Sequence, residues 1–191
     1  NRAVEDFRSK INHMHKKLKG ELHLGLINNL VTMHHDLITE SLAHLSEEHP
    51  DVCLNLSMST LSDIECKVLD QRLHLGAVPL VTPLSGLDYT PLYAEDSYLY
   101  CAKNHPLAQQ KDLNLNDLAH WTAVRPNYAM PERAVRLHQH LNCTATATDR
   151  EGIAFLILSG KYLGFLPNHY AKKWQDDGLI CPILPKKMHY T

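Results

Sequence analysis

Hydrophobic residues downstream of position 19 recur alternately with the two-residue period of strands and the longer period of helices. The alternating leucines of residues 22–26 predict a short strand. Asn28 and Asn29 then open a helix that ends before Pro50. The pattern repeats, with strand positions at Val52, Leu54, Leu56 and Met58, helix positions at Leu61, Ile64, Val68 and Leu69, and a buried strand over residues 73–80. Two consecutive strand–helix–strand units predict a parallel sheet covered on both faces.

A second lobe is predicted where Pro83, Ser85 and Gly86 interrupt this alternation. The elements expected beyond that point are extended segments over residues 89–94 and 98–102, helices near Asn114, from Pro131, ahead of Gly160 and from Asn168, and strands over residues 121–124, 144–148, 162–166 and 179–184. The tetrapeptide Thr148-Asp149-Arg150-Glu151 has the form of a capping box, with Thr148 expected as the N-cap of its helix.

Residues 1–19 carry a different pattern, in which apolar residues are separated by three and four positions among charged neighbours. Its apolar members are Val4, Phe7, Ile11, Met14 and Leu18. This heptad spacing predicts a helix that packs against a partner, because so short a helix is unstable alone. An amphipathic helix lying on its own domain is the alternative, since heptad and 3.6-residue stripes are hard to separate over this length.

Composition narrows the classes of function. The formal net charge is −2 and the 19 Lys and Arg residues are spread along the chain, so this segment alone is expected to bind DNA poorly. Five cysteines without a CxxC pair suit a reducing compartment. No apolar run approaches the ~18 residues of a membrane span, and no signal-peptide pattern is visible at residue 1. These features predict a cytoplasmic protein with no membrane association.

Six short segments carry a resemblance to a known family. They are residues 20–25, 48–56, 61–78, 86–92, 104–108 and 153–167. No one segment is specific alone, but in this order and spacing the chain resembles the LysR-type transcriptional regulators. Two features depart from the family: His74 stands where an Asp is usual, and the segment after Leu184 is shorter than the closing strand and helix of the family.

The resemblance implies an α/β fold of two Rossmann-like lobes with a ligand cleft between them, like type 2 periplasmic binding proteins. The implied boundaries are residues 1–19 for a linker helix, 20–92 with 168–191 for lobe I, and 93–167 for lobe II. The implied function is effector sensing, coupled to DNA through an N-terminal helix-turn-helix that precedes this segment. A homodimer or homotetramer is expected, and no cofactor is predicted.

Short polar residues follow the predicted strands, where open parallel sheets bind their ligands. They are Asn28 and Asn29 after the first strand, Ser59 and Thr60 after the second, Arg125, Asn127 and Tyr128 after a strand of the second lobe, and Thr148. Matched to the family, Asn28, Asn29, Asn127 and Thr148 fall where relatives contact effectors. Neutral amides and hydroxyls with one cation, Arg125, favour a small polar or anionic effector such as a carboxylate. The alternative for each residue is an ordinary cap or turn role.

Three other functions compete with this interpretation. Fourteen histidines suggest metal binding, but neighbours such as His138 and His140 do not share a helix face. An enzyme would need a nucleophile or phosphate motif, and only Cys101 with His105 suggests one. A transport solute-binding protein shares the fold, and the heptad segment at residues 1–19 argues against it.

Overall fold

A computed structural model describes residues 20–33 and 35–191 of the 191-residue chain, and the heptad pattern of residues 1–19 lies outside the described residues. The described residues divide into two compact units, with the boundary between Tyr93 and Ala94. Each unit has its own sheet and its own core, which follow from the hydrophobic pattern of its strands and helices.

The first unit is built on a three-stranded parallel sheet in the order β2–β1–β3. Its strands are β1 (Gly20–Leu26), β2 (Val52–Met58) and β3 (Leu75–Ala77), and its helices are α1 (Asp36–Glu48) and α2 (Leu61–Leu69). The predicted parallel sheet with intervening helices is therefore confirmed for this unit. The strand expected over residues 73–80 is shorter, because only Leu75–Ala77 pairs with β1.

The helix expected to open at Asn28 and Asn29 begins later, at Asp36. Asn29 adopts a left-handed backbone conformation with φ 71°, which cannot continue into an α-helix. A single 3-10 turn over Leu30–Thr32 follows, and the Thr32 hydroxyl donates to the Asn29 carbonyl at 2.9 Å. The chain therefore leaves β1 through a tight turn before α1 starts.

Close approach between α2 and the sheet depends on glycine in two strands. Ile64 of α2 is 1% exposed and lies against β1 and β3. A Cβ at Gly76 would come within 2.4 Å of the Ile64 side chain, and one at Gly25 within 3.3 Å of it. Larger residues at these strand positions would push the helix away from the sheet.

The second unit contains an antiparallel sheet in the order β7–β4–β8, with β9 also pairing with β4. Its strands are β4 (Ser97–Ala102), β7 (Gly164–Pro167), β8 (Ile180–Pro182) and β9 (His189–Tyr190). A parallel pair, β5 (Thr122–Pro126) and β6 (Asn142–Ala147), is joined to this sheet by a bridge between Ala123 and Leu163. The helices are α3 (Glu132–His138), α4 (Arg150–Leu158) and α5 (Asn168–Asp176), with 3-10 turns over Pro106–Gln109 and Leu115–His120.

Two apolar clusters fill the second unit. Strand β4 separates them, because successive residues of a strand point to opposite faces. Leu99 and Cys101 belong to one cluster and Tyr100 to the other. Helix α4 completes the second cluster with Ile153 and Ile157, which are at most 1% exposed.

The predicted boundary of lobe I requires a correction. Residues 168–191 were expected to return to the first lobe, but they belong to the second unit. Strands β8 and β9 pair with β4, and α5 contributes Tyr170 and Ala171 to the core of that unit. These pairings join residues about 80 positions apart, as in Cys101 with Cys181, so no local pattern announces them.

Candidate functional site

The carboxyl ends of β1, β2 and β3 lie at one edge of the first unit. The Ser59 N–H donates to the Leu26 carbonyl at 3.1 Å, and the Ile27 N–H donates to the Ala77 carbonyl at 3.2 Å. The candidate residues Asn28, Asn29, Ser59 and Thr60 follow β1 and β2 at this edge. We call these four residues the first-unit surface.

Two hydroxyls of the first-unit surface are already engaged with α2. Ser59 donates to the Asp63 carboxylate, and Thr60 is the N-cap that accepts from the Asp63 N–H at 3.4 Å. Hydrogen bonds from Lys67, at 2.6 Å, and from Ser59 lower the pKa of Asp63. The only hydroxyl proton of Ser59 is thus committed, so this group can only accept from a ligand.

The two asparagines of the first-unit surface are uncommitted. Asn28 is exposed and Asn29 is half-buried, and within residues 20–33 and 35–191 neither side-chain amide makes a hydrogen bond. A side-chain amide can donate two hydrogen bonds and accept two. The asparagines are therefore the groups of this surface that are ready to bind a polar ligand.

The second unit has a corresponding edge at the ends of β5 and β6. Pro126 and Ala147 are opposite each other in the parallel pair, and the Asn127 N–H donates to the Ala147 carbonyl at 2.8 Å. Asn127, Tyr128 and Thr148 follow these strands and are all exposed. We call these three residues the second-unit surface. The structure thus brings together three of the candidates predicted for this unit.

Arg125 lies one residue before the end of β5 and is exposed. Its charge acts on two groups nearby. Burial lowers the pKa of His138, and Arg125 lowers it further. Burial raises the pKa of Cys143, which Arg125 opposes. The charge of Arg125 therefore influences the pKa of groups on α3 and β6, whereas Thr148 lies just before α4.

Thr148 is not the N-cap of its helix, which corrects the predicted capping box. The N-cap is Asp149, whose carboxylate accepts from the Gly152 N–H at 2.8 Å. Both residue types are favoured at N-caps, so the sequence alone does not choose between them. Thr148 is exposed, and its hydroxyl has no hydrogen-bond partner among the described residues. Its hydroxyl is consequently free to meet a ligand.

An ion-pair cluster beside the second-unit surface was missed in the sequence. Glu95 accepts from Arg150 through one carboxylate oxygen, and its other oxygen lies 2.9 Å from His169 Nε2. The side chains of Arg150 and Glu95 are 13% and 22% exposed. Although Tyr128 is 39% exposed, the surroundings of its hydroxyl, near this cluster, are buried, and this burial raises the pKa of the hydroxyl, with Tyr190 adding to the effect. Tyr128 therefore stays a neutral donor. Glu95, Arg150 and His169 are far apart in the chain, so no motif could have revealed them.

An apolar groove in the first unit differs from both surfaces. It is lined by Leu22, Leu24, Gly25, Leu26, Ile38, Ser41, Leu42, Leu45, Leu56, Leu75, Gly76, Ala77 and Leu92. A carboxylate or amide buried there would lose its hydration with only the Ser41 hydroxyl nearby, which already donates to the Leu37 carbonyl at 2.7 Å. The groove suits apolar packing and not a polar effector.

The described residues were also compared with the requirements of a metal site and of a membrane-spanning helix. No group of three or more His, Cys, Asp or Glu within residues 20–33 and 35–191 could hold a metal ion. His138 is buried and donates from Nδ1 to the Ala134 carbonyl at 2.8 Å. No helix in the described part of the chain is long and apolar enough to cross a membrane.

Comparison with known families identifies the family to which the chain belongs. The family model of the LysR substrate binding domain matches residues 15–190. The chain belongs to this family. The predicted resemblance is therefore confirmed, and a transport protein is not favoured.

Individual members of the LysR family agree with this assignment. The chain is 46% identical over 191 residues to the HTH-type transcriptional activator BauR of Pseudomonas aeruginosa, covering 99% of this chain and 63% of that protein. The cofactor-binding domain of the Cbl transcriptional regulator aligns with a TM-score of 0.69 at 18% identity, over 93% of this chain and 79% of that one. Full-length CbnR, solved with its target DNA, aligns with a TM-score of 0.61 at 18% identity, over 97% and 66%. These structures confirm the predicted α/β fold of the type 2 periplasmic-binding-protein kind.

Proposed function

We propose that this chain is the effector-sensing domain of a LysR-type transcriptional regulator and binds a small polar or anionic molecule through its strand-end surfaces. The family match over residues 15–190 carries the regulatory part of this proposal. The uncommitted polar groups at the carboxyl ends of parallel strands support the binding part, because ligands of open α/β sheets bind at such ends.

The second-unit surface offers the more complete set of groups. Thr148 provides a free hydroxyl, Asn127 an exposed amide and Tyr128 a neutral phenol. Arg125 provides a positive charge. Asp149 places a negative charge at the start of α4, so we propose that a carboxylate of the effector turns towards Arg125 and its neutral polar groups towards Thr148.

The first-unit surface contributes mainly through Asn28 and Asn29, because Ser59 and Thr60 serve α2. Two amides without internal partners can bind a ligand by accepting and donating at once. That a single effector contacts residues of both surfaces remains a prediction from the sequence. Variants in each unit test it separately.

The partners of the whole regulator are also part of the proposal. The chain spans 63% of the length of the activator it resembles, so we propose that DNA binding resides in a helix-turn-helix outside this segment. A homodimer or homotetramer is the proposed assembly, in the cytoplasm, where a DNA-binding regulator acts. Light scattering at micromolar concentration tests the assembly, and a monomer would contradict it.

We propose no catalytic role for this domain. The pair suggested by the sequence, Cys101 and His105, is engaged with other partners. The Cys101 sulfur lies 3.8 Å from the Cys181 sulfur, and His105 Nδ1 accepts from the Leu107 N–H at 3.2 Å. Burial lowers the pKa of His105. A buried imidazole engaged in a local turn is poorly placed to activate a nucleophile.

A ligand screen followed by calorimetry tests the proposed function. Thermal-shift measurements with carboxylates, amino acids and nucleobases should find a compound that stabilises the domain, by about 2.7 kcal/mol at a hundredfold excess over its Kd. Thr148→Ala should then weaken binding by roughly 1–3 kcal/mol while leaving stability nearly unchanged. Thr148→Ser should restore binding, because it keeps the hydroxyl.

Two variants serve as controls for this experiment. Thr146→Ala removes an exposed hydroxyl from β6, two residues before Thr148. This variant should leave affinity at the wild-type value. Arg125→Ala should weaken a carboxylate and spare a neutral compound. Equal affinity of the wild type and Thr148→Ala would show that the site is misplaced, and stabilisation by divalent metals alone would favour a metal sensor.

A further inference from the structure

Cys101 and Cys181 lie opposite each other on neighbouring strands of the second unit. They are paired residues of the antiparallel strands β4 and β8, and their Sγ atoms are 3.8 Å apart. No other pair of cysteine sulfurs is in hydrogen-bonding contact in the part of the chain that the structure describes. The two thiols are therefore neighbours because of the sheet register and not because of a flexible loop.

The register also sets the distance between the two backbones. Two flanking hydrogen bonds of 2.8 Å define it, from the Lys103 N–H to the Leu179 carbonyl and from the Ile183 N–H to the Leu99 carbonyl. Because these bonds lie two residues to either side, Cys101 and Cys181 occupy a hydrogen-bonded position of the ladder. Opposite Cα atoms at such positions are about 5.5 Å apart. That separation lies within the roughly 4.4–6.8 Å that a disulfide spans.

The two thiols have different environments. Cys101 is completely buried in an apolar cluster, whereas Cys181 is half-buried and borders solvent. The hydrogen bond from Cys101 lowers the pKa of Cys181, and the positive charge of Lys103 acts in the same direction. The same bond and burial raise the pKa of Cys101. An accessible sulfur beside a buried one is the arrangement of a reactive and a resolving cysteine.

We propose that Cys101 and Cys181 form a reversible oxidation site that takes a hydroperoxide as its oxidant. The Cys181 thiolate attacks the terminal peroxide oxygen, the O–O bond breaks, and an alcohol or water leaves after taking up a proton. The resulting sulfenic acid is attacked by the Cys101 sulfur. The S–S bond forms as the S–O bond breaks, and the Cys101 proton leaves with the hydroxyl as water. Two thiols are oxidised by two electrons, and one peroxide is reduced.

Reversal needs only a dithiol, which attacks the disulfide and is itself oxidised. In the reducing compartment that the cysteine composition favours, the resting state is the pair of thiols seen here. The site does not involve the effector surfaces, so it does not depend on the proposed function.

The remaining cysteines provide internal controls. Cys53 and Cys66 are exposed, and Cys143 is half-buried with its pKa raised by burial. In the experiment, the full chain is treated with hydrogen peroxide at low molar excess, free thiols are blocked, and peptides are mapped by mass spectrometry without reduction. We expect a peptide pair linked through Cys101 and Cys181, lighter by two hydrogen atoms and lost on treatment with dithiothreitol.

Single variants separate the two roles. Cys101→Ser should leave a sulfenic acid at Cys181 that dimedone traps, and Cys181→Ser should leave Cys101 as an unmodified thiol. Cys53→Ser with Cys66→Ser should form the linked pair at the wild-type rate. Faster oxidation of Cys53 or Cys66 than of Cys181 in the wild type would overturn the proposal, as would oxidation of Cys181 to sulfinic acid without a cross-link. The wild-type map alone gives either result, even where a variant fails to fold.

Discussion

The two units bury very different amounts of apolar side chain. Among the described residues, the buried hydrophobic core of the first unit consists of Leu22, Leu30, Leu45, Ile64 and Leu73, whereas the second unit holds two clusters of ten buried residues each. On the second strand of the first unit, Leu56 and Met58 remain 47% and 53% exposed. Because buried apolar area is the main source of stability, the second unit is expected to be the more stable one.

This difference has a consequence for sensing. Segments with few buried contacts open locally at low free energy, and binding elements are often drawn from them. The first-unit surface lies on the thinly packed unit, and the second-unit surface on the densely packed one. Binding of a ligand is therefore expected to raise the local stability of the first unit more than that of the second unit.

The largest effect is expected from shortening a leucine on a strand of the second unit, compared with the same change on a strand of the first unit. Leu99→Ala removes a side chain with 0% exposure from β4 and should cost about 3–4 kcal/mol of unfolding free energy, from lost transfer and the cavity left behind. Leu56→Ala on β2 should cost less than about 1 kcal/mol, because half of that side chain is already in water. Urea unfolding followed by circular dichroism measures both. Equal losses would contradict the difference in packing.

The next effect concerns charge pairs. Glu95→Ala should cost about 2–3 kcal/mol, because it leaves the largely buried Arg150 guanidinium without its carboxylate. Asp70→Ala in the first unit breaks an exposed pair with Arg72, whose side chains are 61% and 60% exposed, and should change stability by less than about 0.5 kcal/mol. Tryptophan fluorescence follows the first variant, since Trp121 and Trp174 both lie in the second unit. A loss at Glu95 as small as that at Asp70 would mean that Arg150 is solvated.

The sequence predicted the first unit better than the second. Its strands and helices follow one another locally, so hydrophobic period and right-handed crossover were enough to predict a parallel sheet, whereas the order β2–β1–β3 comes from the structure. In the second unit β4 pairs with strands from the end of the chain, and their short apolar runs do not indicate their partner. Long-range pairing, and not element type, was the part that could not be predicted.

The candidate residues were also predicted unevenly. Position along the chain was enough to place Asn28, Asn127 and Thr148 after strands, because the ends of strands are visible in the hydrophobic pattern. Their partners were not visible. The commitment of Ser59 to Asp63 and of Asp149 to the helix cap depends on side-chain geometry at the first turn of α2 and α4.

A smaller effect is expected at the helix caps. Asp149→Ala should cost about 1 kcal/mol, because the Gly152 N–H loses an acceptor at 2.8 Å. Thr60→Ala should cost roughly half as much, since its bond to the Asp63 N–H is longer, at 3.4 Å. Thermal unfolding of both variants, with Thr148→Ala as the reference, measures the two losses. A loss at Thr148 equal to that at Asp149 would restore Thr148 as the cap.

The smallest effect is the dependence of stability on pH between 7 and 5, and over this range it is expected from two histidines of the second unit. Burial lowers the pKa of His138 and of His105, so the unfolded chain takes up protons at these sites before the folded one. Stability from these groups is present above the unfolded value of about 6.5 and is lost as the pH falls through the folded pKa. Urea midpoints by tryptophan fluorescence should fall between pH 7 and pH 5, and less in His138→Gln. If the urea midpoint of His138→Gln fell with pH as steeply as that of the wild type, His138 would not contribute to the pH dependence.

The most direct measurement of the central claim is a map of backbone amide shifts on titration with the stabilising compound. Effector binding at the strand ends predicts the largest ¹H–¹⁵N changes at Asn127, Tyr128 and Thr148, with further changes at Asn28 and Asn29. The amides of the apolar groove and of the sheet at Cys101 should move little. Changes confined to the groove, centred on Leu42 and Leu45, would contradict the account.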